Sequence, residues 1–129
     1  MKGIFDSHSH YDDHAFDSDR EEVLDYLLTG GNSPVECIMH ASTDEKSALF
    51  GVEMSRKYDN FFTSAGFHPE CMDRLPENYM EILAGLFDGN PQIRAVGEIG
   101  LDYHYDGYDR DKQIELLSNQ LEFANSRGL

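Results

Sequence analysis

A short apolar run that ends in a polar residue, followed by a longer segment of helical period, recurs four times along this chain of 129 residues. No other pattern in the sequence constrains the fold more. The runs, 3–8, 35–39, 61–66 and 93–99, are too short for helices and are bounded by turn residues, as strands are. Strands that alternate with helices pair in parallel through right-handed crossovers. The expected class is therefore α/β, a parallel sheet built from (β/α) units.

The helical segments carry their own punctuation. Asp17-Ser18-Asp19-Arg20-Glu21-Glu22 places negative charge where it opposes the positive end of a helix dipole, and Val23, Leu24, Leu27 and Leu28 follow at one-turn spacing before Gly30-Gly31 ends the helix. Thr43 suits the N-cap of a second helix, with Asp44 and Glu45 in its first turn and Leu49, Val52 and Arg56 marking its course to about Tyr58. A third begins near Pro76, carries Tyr79, Ile82, Leu83 and Leu86 on one face, and stops by Gly89-Asn90-Pro91. In the last, from about Asp109, the apolar face is expected to be Ile114, Leu117, Leu121 and Ala124, with Gly128 closing the helix. The loops after strands one, three and four are about ten residues long, longer than the helix-to-strand turns, and in such folds the loops after strands carry the chemistry.

Composition narrows the class. Apolar content of 40 % and charged content of 27 % suit one globular domain. The apolar runs are far short of a membrane span and the N-terminus has no signal-peptide pattern, so a cytoplasmic protein without a membrane partner is expected. Cys37 and Cys71 form no Cys-x-x-Cys pair and read as reduced, buried thiols rather than ligands. Ten basic against 25 acidic residues give a formal net charge of −15. Two bound divalent cations would bring this only to about −11. Tight non-specific binding to nucleic acid is excluded on that balance, but local recognition of a phosphate through a metal is not.

Residues suited to chemistry collect at the ends of the runs. His8 and His10, two apart on a strand, point to the same side, so their imidazoles converge as two ligands of a divalent metal would. Alone, the pair equally suits two solvated histidines near a terminus. His40 and His68 end the second and third runs, and Glu98, with Asp102 close by, ends the fourth. In a parallel sheet all of these lie along one edge. Glu98 sits among Val96, Gly97, Ile99 and Gly100, a setting that would bury its charge without purpose if it were only a surface ion-pair partner. A carboxylate among histidines is what a dinuclear site uses as a bridge.

The stretches Asp6-Ser7-His8-Ser9-His10, Gly66-Phe67-His68-Pro69 and Ala95-Val96-Gly97-Glu98-Ile99-Gly100-Leu101-Asp102-Tyr103 together resemble the TatD-type metal-dependent hydrolases. These belong to the amidohydrolase superfamily of TIM barrels and are usually described as deoxyribonucleases. The resemblance runs in order along the whole chain. It implies a TIM-barrel fold with about four of eight (β/α) units present, residues 1–129 forming an N-terminal half. It also implies two divalent metal ions (Zn, Mn, Mg, Ni or Fe), with His8 and His10 on one and Glu98, the catalytic carboxylate, bridging to the second. His68 would contact the substrate phosphate. The implied reaction is hydrolysis of a DNA or other phosphodiester by metal-activated water.

Two departures from the family qualify this. His40 stands where members commonly carry a small residue; it reads as a strand-end histidine or as a contact behind the ligands. The family's two further metal-binding histidines and its water-activating aspartate come from later strands, and His14 and His104, in loops without a matching motif, do not replace them. Closing a barrel needs either the missing C-terminal half or a second chain. The other readings are an inactive metal-binding or interaction module, and an amidohydrolase acting on a different ester or amide.

Overall fold

The computed structural model describes residues 3–129. Four strands, β1 (Ile4–Ser9), β2 (Val35–His40), β3 (Phe61–Ala65) and β4 (Ile93–Val96), form one sheet in the order β1-β2-β3-β4. Every neighbouring pair is parallel. Helices α1 (Arg20–Thr29), α2 (Glu45–Lys57), α3 (Tyr79–Gly89) and α4 (Arg110–Arg127) alternate with them, and short 3-10 turns occupy His14–Phe16 and Pro69–Arg74. Sequential strand order with all strands parallel is the arrangement of four consecutive units of a (β/α) barrel, in agreement with the alternation read from the sequence. Among the described residues, no helix is long and apolar enough to cross a membrane.

The core lies between the helices and one face of the sheet, in two clusters. Leu24 of α1, Ile38 of β2, Met54 and Tyr58 at the end of α2, and Phe61 of β3 form the first. Ala48 and Val52 of α2, Ala65 of β3, Leu83 and Leu86 of α3, Ile93 of β4 and Leu116 of α4 are among the second. On the opposite face the covering is thin: Arg94 is exposed and lies over the Phe62 ring at 5.8 Å. Phe5, on edge strand β1, is 52 % exposed.

Helix punctuation follows local chemistry, with differences from expectation. The cap of α2 is Asp44, whose carboxylate accepts from the Ser47 N–H at 2.9 Å, not Thr43. A carboxylate also opposes the dipole, which a threonine hydroxyl does not. Leu49 faces solvent, and α2 turns its small residues Ser47, Ala48, Gly51 and Ser55 inward instead. The reason is close approach: a Cβ on Gly51 would lie 2.0 Å from Thr63 Oγ1 and 2.9 Å from His40 Cδ2. Helix α3 begins at Tyr79, later than Pro76, and buries Leu83 and Leu86 as expected. Gly128 closes α4 at φ 70°, a left-handed conformation that costs glycine little.

The largest correction concerns α4. Ile114 and Leu121 of the expected apolar face are exposed, and the buried residues are Gln113, Leu116 and Gln120. The two glutamines find backbone partners inside, so their burial leaves amides satisfied. The tight seat of α2 supplies a test: Gly51→Ala is expected to lower stability by about 1–3 kcal/mol through overpacking against Thr63 and His40, read by urea denaturation.

Candidate metal centre

Because the strands are parallel, their C-terminal ends share one edge, and the histidines of the sequence motifs lie along it. His8 falls within β1 and His10 one residue past its end; His40 is the last residue of β2. His68 follows β3 by three residues and caps the 3-10 turn with its own side chain. Glu98 lies two residues beyond β4, which is shorter than the expected 93–99. The shortening has a hydrogen-bond cause. Gly97 N–H still donates to Ala65 O at 3.0 Å, but the Glu98 N–H donates to Ser42 O, beyond the end of β2. After Gly97 the chain thus leaves β3 and crosses toward the middle of the sheet. Gly66 makes room for it, since a Cβ there would stand 2.9 Å from the Gly97 carbonyl. The Gly97–Glu98 peptide is cis.

That crossing brings the carboxylate to the histidine pair. His8 Nε2 and His10 Nε2 are 3.1 Å apart. Glu98 Oε2 is 3.4 Å from the first and 3.6 Å from the second. Ligand atoms about 2.1 Å from a common ion stand roughly 3.0 Å apart at octahedral angles and roughly 3.4 Å apart at tetrahedral ones. The three separations match such a set closely, so the residues fit a divalent ion bound by two nitrogens and one oxygen. All three side chains are partly open to solvent, which leaves coordination positions for water or substrate.

His68 stands beside this triad, not in it. Its Nε2 is 3.8 Å from Glu98 Oε1, the other oxygen of that carboxylate. Its Nδ1 accepts the Glu70 N–H at 3.2 Å. A nitrogen that accepts a hydrogen bond carries no proton, so in the neutral ring Nε2 bears the hydrogen and faces the site as a donor. A donor there suits an anionic oxygen better than a metal ion.

The scaffold behind these residues is polar and buried. Ser42 Oγ donates to Ser64 O at 2.8 Å and lies 3.2 Å from Thr63 Oγ1. Ser64 Oγ accepts the Ser42 N–H at 3.0 Å and reaches His40 O at 3.2 Å. From α4, Gln120 accepts the Phe67 N–H at 2.7 Å and returns a bond to Phe67 O at 3.0 Å. One heptad earlier Gln113 does the same for Asp102, at 2.8 and 2.7 Å. Two glutamines on one helix therefore fix the loops that carry His68 and that follow Glu98. Sequence reasoning missed both; their seven-residue spacing on one face of α4 was the available signal. On the β1 side Arg20 ties the loop, donating to Tyr11 O at 2.6 Å, Asp13 O at 3.0 Å and the Asp17 carboxylate at 2.7 Å.

Other candidates lie apart from the triad. His14 and His104 are exposed, and Asp102 accepts the His104 N–H at 2.8 Å. Both cysteines are free; Cys71 is buried, with its Sγ 3.1 Å from Thr43 O, while Cys37 is half-buried. His40 is wholly buried among Phe50 and Phe61, with Nε2 3.2 Å from Ser47 Oγ and 3.8 Å from Asp12 Oδ1.

Known proteins resemble this chain in sequence and in fold. The family model described as TatD related DNase matches residues 5–129. The chain belongs to that family. Among its relatives is the uncharacterized metal-dependent hydrolase YabD of Bacillus subtilis (strain 168), 31 % identical over 127 residues that cover 98 % of this chain and 48 % of YabD. The 3'-5' ssDNA/RNA exonuclease TatD of Cronobacter sakazakii (strain ATCC BAA-894) is 26 % identical over 109 residues, covering 84 % of this chain and 40 % of that protein. The crystal structure of the TatD homologue YjjV from Escherichia coli K12 superposes with a TM-score of 0.85 at 27 % identity, over 98 % of this chain and 48 % of that one. The TatD-family chain thus spans about half the length of the relatives it matches.

Burial holds the His40 imidazole below its ordinary pKa of 6.5, outweighing the attraction of Asp12. As pH falls through the ordinary range the unfolded chain takes up a proton that the folded one refuses. Stability is therefore expected to drop between about pH 7 and pH 5.5, and His40→Gln to flatten that slope, in denaturation curves of metal-free protein.

Proposed function

We propose that this chain supplies the first part of the active site of a divalent-metal-dependent hydrolase acting on nucleic-acid phosphodiesters. The observation that carries the reading is the convergence of His8, His10 and Glu98, whose three ligand atoms lie within 4.8 Å of one another. The names of the relatives support it: YabD is called a metal-dependent hydrolase, and the Cronobacter protein an exonuclease of single-stranded DNA and RNA.

Each residue takes a role from its geometry. His8, His10 and Glu98 would together hold one divalent ion, and Glu98 would also serve a second. A bound divalent metal would activate water and polarise the phosphoryl oxygens. His68, its Nδ1 engaged by the backbone, offers the Nε2 hydrogen to a phosphate oxygen and orients the phosphodiester against the triad. Three protein ligands for two metals would leave open positions, and among the described residues no other group of three candidate ligands stands with them. The machinery is therefore completed by further polypeptide, either the C-terminal half of a longer barrel or a second chain.

Two experiments test this reading. After loading with Zn²⁺ or Mn²⁺ and desalting, elemental analysis of the chain is expected to find bound metal, and Glu98→Gln is expected to weaken that binding by more than about tenfold. Unchanged stoichiometry would remove Glu98 from the ligand set. In the second, the chain is joined to the C-terminal half of a TatD-family relative and assayed on single-stranded DNA with Mg²⁺, Mn²⁺ or Zn²⁺. Metal-dependent hydrolysis is expected well above that of the 129 residues alone, and equal rates would show that the further half is dispensable.

A further inference from the structure

A cavity of about 450 Å³ opens immediately beyond His68, between the 3-10 turn Pro69–Arg74 and the loop that leads from Glu98 to α4. Its walls fall into two chemical kinds. Pro69, Met72, Tyr105 and Tyr108 present apolar and aromatic surface. Around them stand Glu70, Asp73, Asp102, Asp106 and Asp109, against one cation, Lys112, which is already 3.5 Å from the Asp109 carboxylate. The loop is built to hold this surface in place. Tyr103 stacks on Tyr108 with ring centroids 4.7 Å apart at 26°, Gln113 grips the Asp102 backbone at both its amide and its carbonyl, and Gly107 turns at φ 86°. Yet much of the tyrosine surface is left open, beyond the Tyr108 face that Tyr103 covers: Tyr105 is 65 % exposed and Tyr108 47 %.

A nucleic-acid substrate is a polyanion, and five carboxylates repel phosphate at short range. Only an uncharged part of such a substrate suits the cavity. A base has a flat apolar face that stacks on tyrosine, and this stacking is indifferent to sequence. We propose that the cavity is a subsite for the terminal nucleoside of a single-stranded substrate: the base stacks on Tyr105 and Tyr108, the free hydroxyl end meets the acidic rim, and the phosphodiester lies back toward His68 and the metal triad. A strand end that carries a phosphate is rejected by the rim. The site thereby recognises an unphosphorylated end by charge, without any contact that reads the base. The inference rests on the phosphodiesterase reading above and adds to it where the strand end sits and which end chemistry is accepted.

Binding to the metal-free chain tests this without reference to turnover. Aromatic NMR signals of Tyr105 and Tyr108 are followed while thymidine, or thymidine 3',5'-bisphosphate, is added; the bisphosphate must place a phosphate in the rim in either orientation. Thymidine is expected to shift both rings, and the bisphosphate to bind at least about tenfold more weakly at low salt, the gap narrowing as salt is raised. Tyr108→Ala is expected to weaken thymidine binding at least about fivefold and Tyr108→Phe to preserve it. Should Tyr108→Ala fail to fold, the double variant Asp73→Asn/Asp106→Asn remains decisive, because it is expected to recover much of the bisphosphate affinity. Equal binding of thymidine and its bisphosphate, absence of any thymidine-induced shift, or displacement of thymidine by spermidine at the same tyrosines would overturn the subsite. Phosphodiester hydrolysis by the joined protein without nucleoside binding would sink the subsite and leave the hydrolase reading standing. Nucleoside binding without hydrolysis would do the reverse.

Discussion

Side chains from the two edge strands of the sheet meet at its C-terminal end, and the site depends on that meeting. β1 and β4 are separated by two strands, roughly 14 Å in a flat sheet. Glu98 Oε2 nevertheless lies 3.4 Å from His8 Nε2. Two features close the gap. The sheet curls as barrel sheets do, and the chain after Gly97 abandons its neighbour β3 to bond Ser42 past the end of β2. The buried hydroxyls of Ser42, Thr63 and Ser64 make this second route possible. They satisfy one another and the backbone around them, so the Ser42 carbonyl is held in place to receive the Glu98 amide. Polar groups at this depth are costly unless fully bonded, and fully bonded they permit one arrangement only.

Helix α4 extends the same logic to the loops. A leucine at position 120 would bury as well as a glutamine, but it would leave Phe67 N–H and C=O without partners in a closed interior. The helix therefore spends its inward face on two glutamines and Leu116, and sends Ile114 and Leu121 outward. Those exposed leucine and isoleucine side chains lie on the last of the four units, and Phe5 is exposed on the first. Both terminal units of the sheet thus carry uncovered apolar surface, as expected where neighbouring units of a barrel would otherwise pack.

Much of this was legible in the sequence, for definite reasons. Strand and helix alternation is written in hydrophobic period, and parallel pairing follows from it, so the gathering of His8, His10, His68 and Glu98 along one edge could be read before any coordinates. What could not be read were contacts that override period. The inward face of α4 is chosen by backbone groups of distant loops, 53 residues away in the case of Phe67, and not by the apolar stripe. The cap of α2 passes from Thr43 to Asp44 because the carboxylate is the better acceptor at a helix start. β4 stops at Val96 because its next amide but one is claimed by Ser42, in the loop past the end of β2. His40 gave no sign of its burial, because the space for its ring depends on Gly51 of α2 and on the tight packing of Thr63.

The charge of the chain and the chemistry proposed for it can be reconciled only at short range. A net charge of −15, from ten basic against 25 acidic residues, repels a nucleic acid at long range. On the proposed reading, attraction would come from groups in direct contact with the substrate: divalent cations held at the triad, the Nε2 hydrogen of His68, and uncharged stacking surface. Such a site gains little from the counterion release that drives most nucleic-acid binding, and it discriminates against long duplex surfaces that cannot bring phosphate and metal together. A flexible single strand presented by its end meets that condition most easily. On the proposed reading the acidic surface would be part of the selectivity, because it would disfavour any phosphate not met by the metal or by His68.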